Sequence, residues 1–426
     1  MGFALGFLPV VLLLAGFPTF LVLLTSVTVA VVFFMNIPLL VVHQNMYGSI
    51  DAFALLAVPY FIYAGELMGR GSVAQRLVDV VQAGIGRVPG SLGVTTVGTA
   101  AIFGAISGAS AATVATIGRI MVPAMRKARY PEPFAAGLIT SVGAIDIIIP
   151  PSIPMIVYGA AAQESVPRLY AAGLLPGLMI AAMLGLYVVW YARRNGIPAG
   201  DTFRLTTFLA ALRRGVWALG APIIILGGIY GGVFSPTEAA GVACVYAAIV
   251  TRYVYRDLGW RDILGSASTA AIFTAQILII LACASVFAWL LTVHQVPAKL
   301  VGWINDFGFA PWMVMLAINI LLLVVGCFID PLSAILVLTP LLIPIVKAAG
   351  FDTVHFGIVV MVNLAIGLFH PPFGINIFVA QSVLKLDLGT IYKGIVPFLF
   401  IYLVALGLIT YVPSISLIGV RILLMN

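Results

Sequence analysis

The sequence predicts an all-α polytopic membrane protein made of two copies of one unit in opposite orientations. Three observations carry this. Of 426 residues, 62% are apolar and only 8% are charged, against about 25% charged in a soluble domain. So few charges cannot clothe a water-facing exterior, so lipid must be the main solvent. Apolar stretches near or above the roughly 20 residues needed to cross hydrocarbon recur along the whole length. Finally, a shift of 221 residues lays one half of the chain on the other.

The elements follow in order. The N-terminus has neither a basic n-region nor a small-residue cleavage site, so its first apolar run reads as a retained helix. Helices are expected at about 3–17, 20–42 and 52–69. Basic residues cluster in a few loops: Arg70, Arg76 and Arg87; Arg126, Lys127 and Arg129; Arg193, Arg194, Arg204, Arg213 and Arg214; Arg252, Arg256 and Arg261; Lys385 and Lys393. Placing these sixteen in the cytoplasm leaves four outside, Arg168, Lys299, Lys347 and Arg421. The bias has the positive-inside sign and puts the N-terminus in the periplasm. The net charge of +7 is therefore a matter of orientation, not of nucleic-acid binding.

Residues 88–125 leave one face and return to it, and residues 309–346 do so from the opposite face. Each segment is either two full spans or a re-entrant hairpin. Their midpoints, Ser107-Gly108-Ala109-Ser110 and Phe328-Ile329-Asp330-Pro331, favour re-entrant hairpins with tips near the midplane, against protein or water. The same 221-residue shift superimposes these midpoints, Pro123 on Pro344, and Pro150-Pro151 on Pro371-Pro372; Pro18-Thr19 matches Pro236-Thr237 at a slightly shorter shift. Inverted repeats with paired broken helices are the sequence mark of a secondary transporter. The chain thus divides into outer helices 1–87, a first hairpin, broken helix and following span at 88–192, and a linker at 193–214. Outer helices 215–308 and a second hairpin, broken helix and last span at 309–426 complete it. The linker, with Phe203, Leu205, Phe208, Leu209 and Leu212 between basic residues, reads as an amphipathic helix on the cytoplasmic face.

Two apolar helices carry the Pro-Pro pairs, IIIPPSIPMIVYG (147–159) and NLAIGLFHPPFGINIF (363–378). Each proline removes a donor and disfavours helix before it. In lipid such a break survives only where it lines a polar cavity, and its free carbonyls, hydroxyls and amides suit a hard cation such as Na⁺. Half-helix N-termini beside it attract a carboxylate. The first hairpin tip adds Ser107, Ser110, Thr113 and Thr116. Asp146, Asp330 and His370 lie deep in apolar runs, where an ionisable group is a functional candidate by default. Asp330 stands at a tip, near bound Na⁺ or as a helix N-cap. Asp146 and His370 precede the two breaks and are expected to face each other as a pair or proton-sensitive gate. Arg119 reads as snorkelling to the cytoplasm, and Glu66 with Arg70 as an i,i+4 pair. Cys244, Cys283 and Cys327 read as buried small hydrophobes.

Enzyme signatures do not occur. The sequence has no P-loop, GxSxG elbow or HExxH, its four histidines have no zinc spacing, and Gly84 and Gly86 follow no strand. No organic cofactor is expected.

FALLAVPYFIYAGELM (53–68), FGAISGAS at the first tip, IIIPPSIPMIVYG, FSPTEAAGVACVYA (234–247), FIDPLSAILVLTPLLIP (328–344) and GLFHPPFGINIF (367–378) together resemble the large membrane subunit of tripartite ATP-independent periplasmic (TRAP) transporters, over nearly the full chain. The resemblance implies an elevator-type transporter of the ion-transporter superfamily in the bacterial inner membrane. It implies Na⁺-coupled uptake of an organic acid such as a C4-dicarboxylate or a sialic acid. It also implies two partners, a small four-helix membrane subunit and a periplasmic substrate-binding protein. Carried over by position, two or more Na⁺ sites would draw on Ser107, Gly108, Ser110, Gly143, Pro150, Asp330, Asn363 and Gly367. The substrate would meet Ser107, Ser110, Ser152, Asn376, His370 and Asp146. Two positions depart from the family, which has a small residue at Asp146 and a hydroxyl at His370. The alternative within the same class is a stand-alone Na⁺- or H⁺-coupled anion carrier or exchanger.

Overall fold

A computed structural model describes residues 2–35 and 37–424, and of Asn305 the backbone alone. Met1, Met425 and Asn426, at the ends of the outermost expected segments, and Asn36, inside the expected 20–42 span, lie outside it. The described chain is helical throughout, apart from short loops and a single bridge between Pro89 and Ala199. Among the described residues, six helices are long and apolar enough to cross a membrane, or seven counting a pair bent by 60°, Leu39–Ile50 with Phe53–Arg70.

The first elements differ from expectation. The helix expected at 3–17 ends at Leu14, before Gly16 turns the chain at φ +81. The span expected at 20–42 is two helices, Thr19–Phe34 and Leu39–Ile50. Pro38 starts the second with an extended ψ of 135°; lacking an N–H, it cannot continue a helix arriving from Phe34. The 52–69 helix is present as a tight turn, Phe53–Leu56, leading into Ala57–Arg70. The linker also differs. Residues 195–204 are not helical, and the helix that starts at Leu205 runs unbroken to Tyr230 as a membrane span. Gly196 (φ +63), Pro198 and Gly200 break the first part, whereas from Leu205 the helix continues through Arg213, Arg214 and Pro222 to Tyr230. No separate surface helix forms there.

The segments around the expected tips form two helix pairs. Ser91–Ser107 and Ser110–Lys127 pack on each other through a turn at Gly108 and Ala109. Pro311–Phe328 and Pro331–Ala348 meet at Ile329 and Asp330. With 17 and 18 residues, the arms of the first pair are about 26 and 27 Å long at 1.5 Å per residue. Both Pro-Pro pairs interrupt a helix. The first break separates Glu132–Val142 and a tight turn at Gly143–Ile147 from Ile153–Ala162; the second separates Thr353–Phe369 from Ile375–Leu384. Both Pro-Pro bonds are cis. Everything from Phe134 to Gly159 is buried, as is all of Thr353–Phe369, whereas Pro372 and Phe373 are exposed.

Packing crosses between the halves in matching ways. Ile153–Ala162 packs on Pro331–Ala348, and Ile375–Leu384 packs on Ser110–Lys127. Each half-helix beyond a break thus lies on the second arm of the other half's pair. Among the outer helices, Thr19–Phe34 packs on Trp260–Val293 while Pro236–Ile249 packs on Ala57–Arg70.

Candidate functional site

The two turns converge on one cavity of about 440 Å³. Ser107, Gly108 and Ser110 line it from the first pair, and Asp330, Pro331 and Leu332 from the second. Ile147, Ile153 and Pro154 enter from the first break, and Leu368 and Ile375 from the second. A smaller cavity of about 50 Å³ adjoins it between Cys327, Phe328, Asp330, Gly367 and Phe373.

Local chemistry makes the turns. The first arm ends because Gly108 adopts φ +59 and its N–H caps the Gly104 carbonyl at 3.0 Å. That left-handed geometry is the usual glycine helix stop. Ser107 Oγ sits 3.3 Å from both the nitrogen and the oxygen of Ala109, which holds the turn. The second pair turns on a carboxylate. Asp330 caps Pro331–Ala348 by accepting from the Ser333 N–H at 3.0 Å and the Ser333 hydroxyl at 2.5 Å. An N-cap carboxylate satisfies amide groups left open at a helix start and favours the positive end of its dipole. The expected cap is present, with the carboxyl at the cavity wall.

Behind the first turn, Asn376 bridges the halves. Its Nδ2 donates to Ser110 Oγ at 2.9 Å and to the Thr140 carbonyl at 3.2 Å. Gly143 opens the tight turn against the Ser110 carbonyl. Ser110, Gly143 and Asn376 therefore form one buried polar knot of hydroxyl, carbonyl and amide oxygens. This is chemistry that suits a hard cation.

The remaining candidates lie apart from that knot. Ser152 Oγ turns inward to the Ile147 carbonyl at 2.8 Å, and Pro150 is buried in the break. Asn363 Nδ2 donates to Asn319 Oδ1 at 2.9 Å and to the Val359 carbonyl at 2.8 Å. Its Oδ1 has no partner among the described residues. Gly367 lies against the Gly326 backbone. The expected Asp146–His370 pair does not form. Asp146, fully buried, accepts from the Thr113 hydroxyl and leaves Oδ1 without a partner. His370, half-buried, places Nδ1 2.9 Å from Cys327 Sγ. Thr113 lies one turn past Ser110 on the same helix, so Asp146 faces the first pair. Cys327 precedes the second turn, so His370 faces the second pair. No spacing rule foretold either partner, because each lies on a different element. Arg119, expected to snorkel towards water, is exposed and also lines the cavity together with Glu66 and Arg70. The Glu66–Arg70 pair forms at 2.7 Å, and the three cysteines are free and buried.

The scaffold meets the first turn closely. A Cβ on Gly65 of Ala57–Arg70 would lie 2.6 Å from the Ser107 carbonyl oxygen, so only glycine lets that helix approach the turn so nearly.

Comparison with known proteins agrees with this arrangement. Residues 7–415 match the family model described as the tripartite ATP-independent periplasmic transporter, DctM component. The C4-dicarboxylate TRAP transporter large permease protein DctM of Pseudomonas aeruginosa is 40% identical over 373 residues, covering 88% of this chain and 87% of the relative. The isethionate TRAP transporter permease protein DctMQ of Oleidesulfovibrio alaskensis is 39% identical over 383 residues. That alignment covers 90% of this chain and 60% of the longer relative. In fold, the chain is similar to the crystal structure of the Alcanivorax borkumensis YdaH transporter, with a TM-score of 0.64 and 14% identity. The match covers 97% of this chain and 98% of that one. The chain belongs to the DctM-component family of tripartite ATP-independent periplasmic transporters and is a multi-pass membrane permease, not an enzyme.

Proposed function

We propose that this chain is the large permease of a Na⁺-driven uptake system for an organic acid in a bacterial inner membrane, with its N-terminus in the periplasm. The convergence of both helix turns on one 440 Å³ cavity carries the reading. The reciprocal packing of each post-break half-helix on the other half's hairpin supports two inverted repeats with re-entrant hairpins. The family's name implies a tripartite system, here a small membrane subunit and a periplasmic binding protein that delivers the ligand. The relatives' names include C4-dicarboxylate and isethionate permeases, so an anionic substrate, carboxylate or sulfonate, is the class proposed.

In this reading Na⁺ is cargo. It binds first among Ser107, Gly108, Ser110, Gly143 and Pro150 on one side and Asp330, Asn363 and Gly367 on the other. Ordering the turns completes the acid site, which Ser107, Ser110 and Asn376 contact, with Ser152, Asp146 and His370 in its surround. The cation offsets the acid's charge, and the loaded hairpins and broken helices then slide as a rigid body past the outer helices. Coupling follows because a half-loaded site leaves a bare charge to carry through hydrocarbon.

Uptake by the complete complex in liposomes tests this. Uptake should collapse when external Na⁺ is replaced by choline with no proton gradient imposed, and sustained uptake would defeat the reading. Asp330→Asn keeps a good N-cap but removes the charge, so uptake should drop at least about tenfold, roughly the 1.4 kcal/mol that corresponds to a lost charged ligand of modest strength. Uptake by the chain without its two partners would favour a stand-alone carrier instead.

A further inference from the structure

Four charged side chains reach the main cavity: Glu66, Arg70, Arg119 and Asp330. Three of them are engaged. Glu66 accepts from Arg70 Nε at 2.7 Å, Arg70 Nη2 donates to Thr269 Oγ1 at 3.1 Å, and Asp330 is occupied as a cap. Arg119 makes a single bond, from Nε to the Ala115 carbonyl on its own helix at 3.1 Å. Among the described residues it joins no ion pair and its two terminal nitrogens meet no protein acceptor, the side chain being exposed.

Position separates Arg119 from the turns. It stands nine residues after Ser110 on the continuous helix Ser110–Lys127, about 13 Å farther along at 1.5 Å per residue. The wall between them on this helix carries Ala111, Ala112, Ala115 and Thr116, side chains too small to fill the space. Phe273 and Ile277 face it from the Trp260–Val293 helix. The guanidinium is exposed and so free to meet a ligand, and its planar fork binds carboxylate and sulfonate oxygens two at a time.

We propose that Arg119 is a second anion subsite at the end of the cavity away from the turns, where the carboxylate or sulfonate of the transported acid rests before release. Resting on the uptake reading above, this makes Arg119 a determinant of substrate charge. It favours anions over zwitterions and cations, whichever group the turns hold first. A phosphate from a lipid headgroup has similar oxygens, and the test separates the two sources.

The complete complex carrying Ala115→Cys, one turn from Arg119, is placed in pure phosphatidylcholine vesicles and, in parallel, in vesicles containing phosphatidylglycerol. Labelling rates are read with two thiol reagents of opposite charge, 2-sulfonatoethyl and 2-(trimethylammonio)ethyl methanethiosulfonate. The parent protein, whose three cysteines are buried, gives the background. Arg119→Gln is expected to lower the anionic-to-cationic rate ratio about tenfold in both lipids, the low end of what a charged cleft achieves. Arg119→Lys is expected to retain most of the ratio, which excludes a collapsed fold as the cause. A ratio unchanged by Arg119→Gln overturns the proposal, as does a change confined to phosphatidylglycerol vesicles, which would assign the side chain to a lipid headgroup. The measurement needs neither Na⁺ nor transport, so its failure is distinct from failure of the uptake assay.

Discussion

Thr113 and Asp146 show how one hydroxyl sustains a carboxyl inside a membrane protein. The carboxyl is fully buried, Thr113 is the donor to one oxygen, and the other oxygen has none among the described residues. Thr113→Val is close in volume but removes that donor. It should destabilise the protein by about 1–3 kcal/mol, the cost of a buried polar group left unpaired. Adding Asp146→Val should recover part of the loss, because removing both partners leaves nothing unsatisfied. Thermal unfolding of the purified complex reads both steps, and equal melting temperatures for the parent and Thr113→Val would refute the account. At this scale the sequence was only partly legible. Glu66–Arg70 follows from four-residue spacing and the Asp330 cap from the Asp-Pro start of a helix. The partners of Asp146 and His370 lie 33 and 43 residues away, and no local rule reaches that far. That Arg119 also borders the cavity depends on how its helix is rotated about its axis, which proximity to a basic loop does not reveal.

Between elements, the decisive contact joins Ile375–Leu384 to Ser110–Lys127 through Asn376 and Ser110. Ser110→Ala and Asn376→Ala should each impair uptake. Together they should cost less than the sum of the two, with a coupling of about 0.5–3 kcal/mol as for contacting residues. Strict additivity in a double-mutant cycle would mean that the two act separately. Both turns and both breaks were legible because glycine, serine, aspartate and proline act on the backbone locally. The bend after Phe34 was less so, since an apolar average over 20–42 does not register a single Pro38. The linker failed for a related reason. Basic residues between leucines suggested a separate surface helix, but only Gly196, Pro198 and Gly200 stop one, and beyond them the helix runs on to Tyr230.

For the molecule as a whole, the Gly65–Ser107 approach lies where the outer helices meet the hairpin proposed to move. Gly65→Val should block that close passage and slow uptake more than it lowers the melting temperature. A reducible crosslink between cysteines placed at Ile62 and Ala109, which both line the cavity, should arrest uptake, with recovery on reduction. One joining Ile153–Ala162 to Pro331–Ala348 should be tolerated, since both belong to the proposed moving body. Full uptake with the first crosslink formed would rule out sliding at this surface. The 221-residue shift pairs the two turns and the two Pro-Pro breaks, but which helix packs on which was not readable, because that depends on side-chain fit between distant segments.

The Asn376 bridge also bears on how the protein is made. A ribosome delivers the N-terminal half first, so Ser110 and the Thr140 carbonyl enter the bilayer long before residue 376 exists. Until then water, the insertion machinery or a place near the surface must shelter those groups. Biogenesis therefore closes late, when the second half arrives to complete the first.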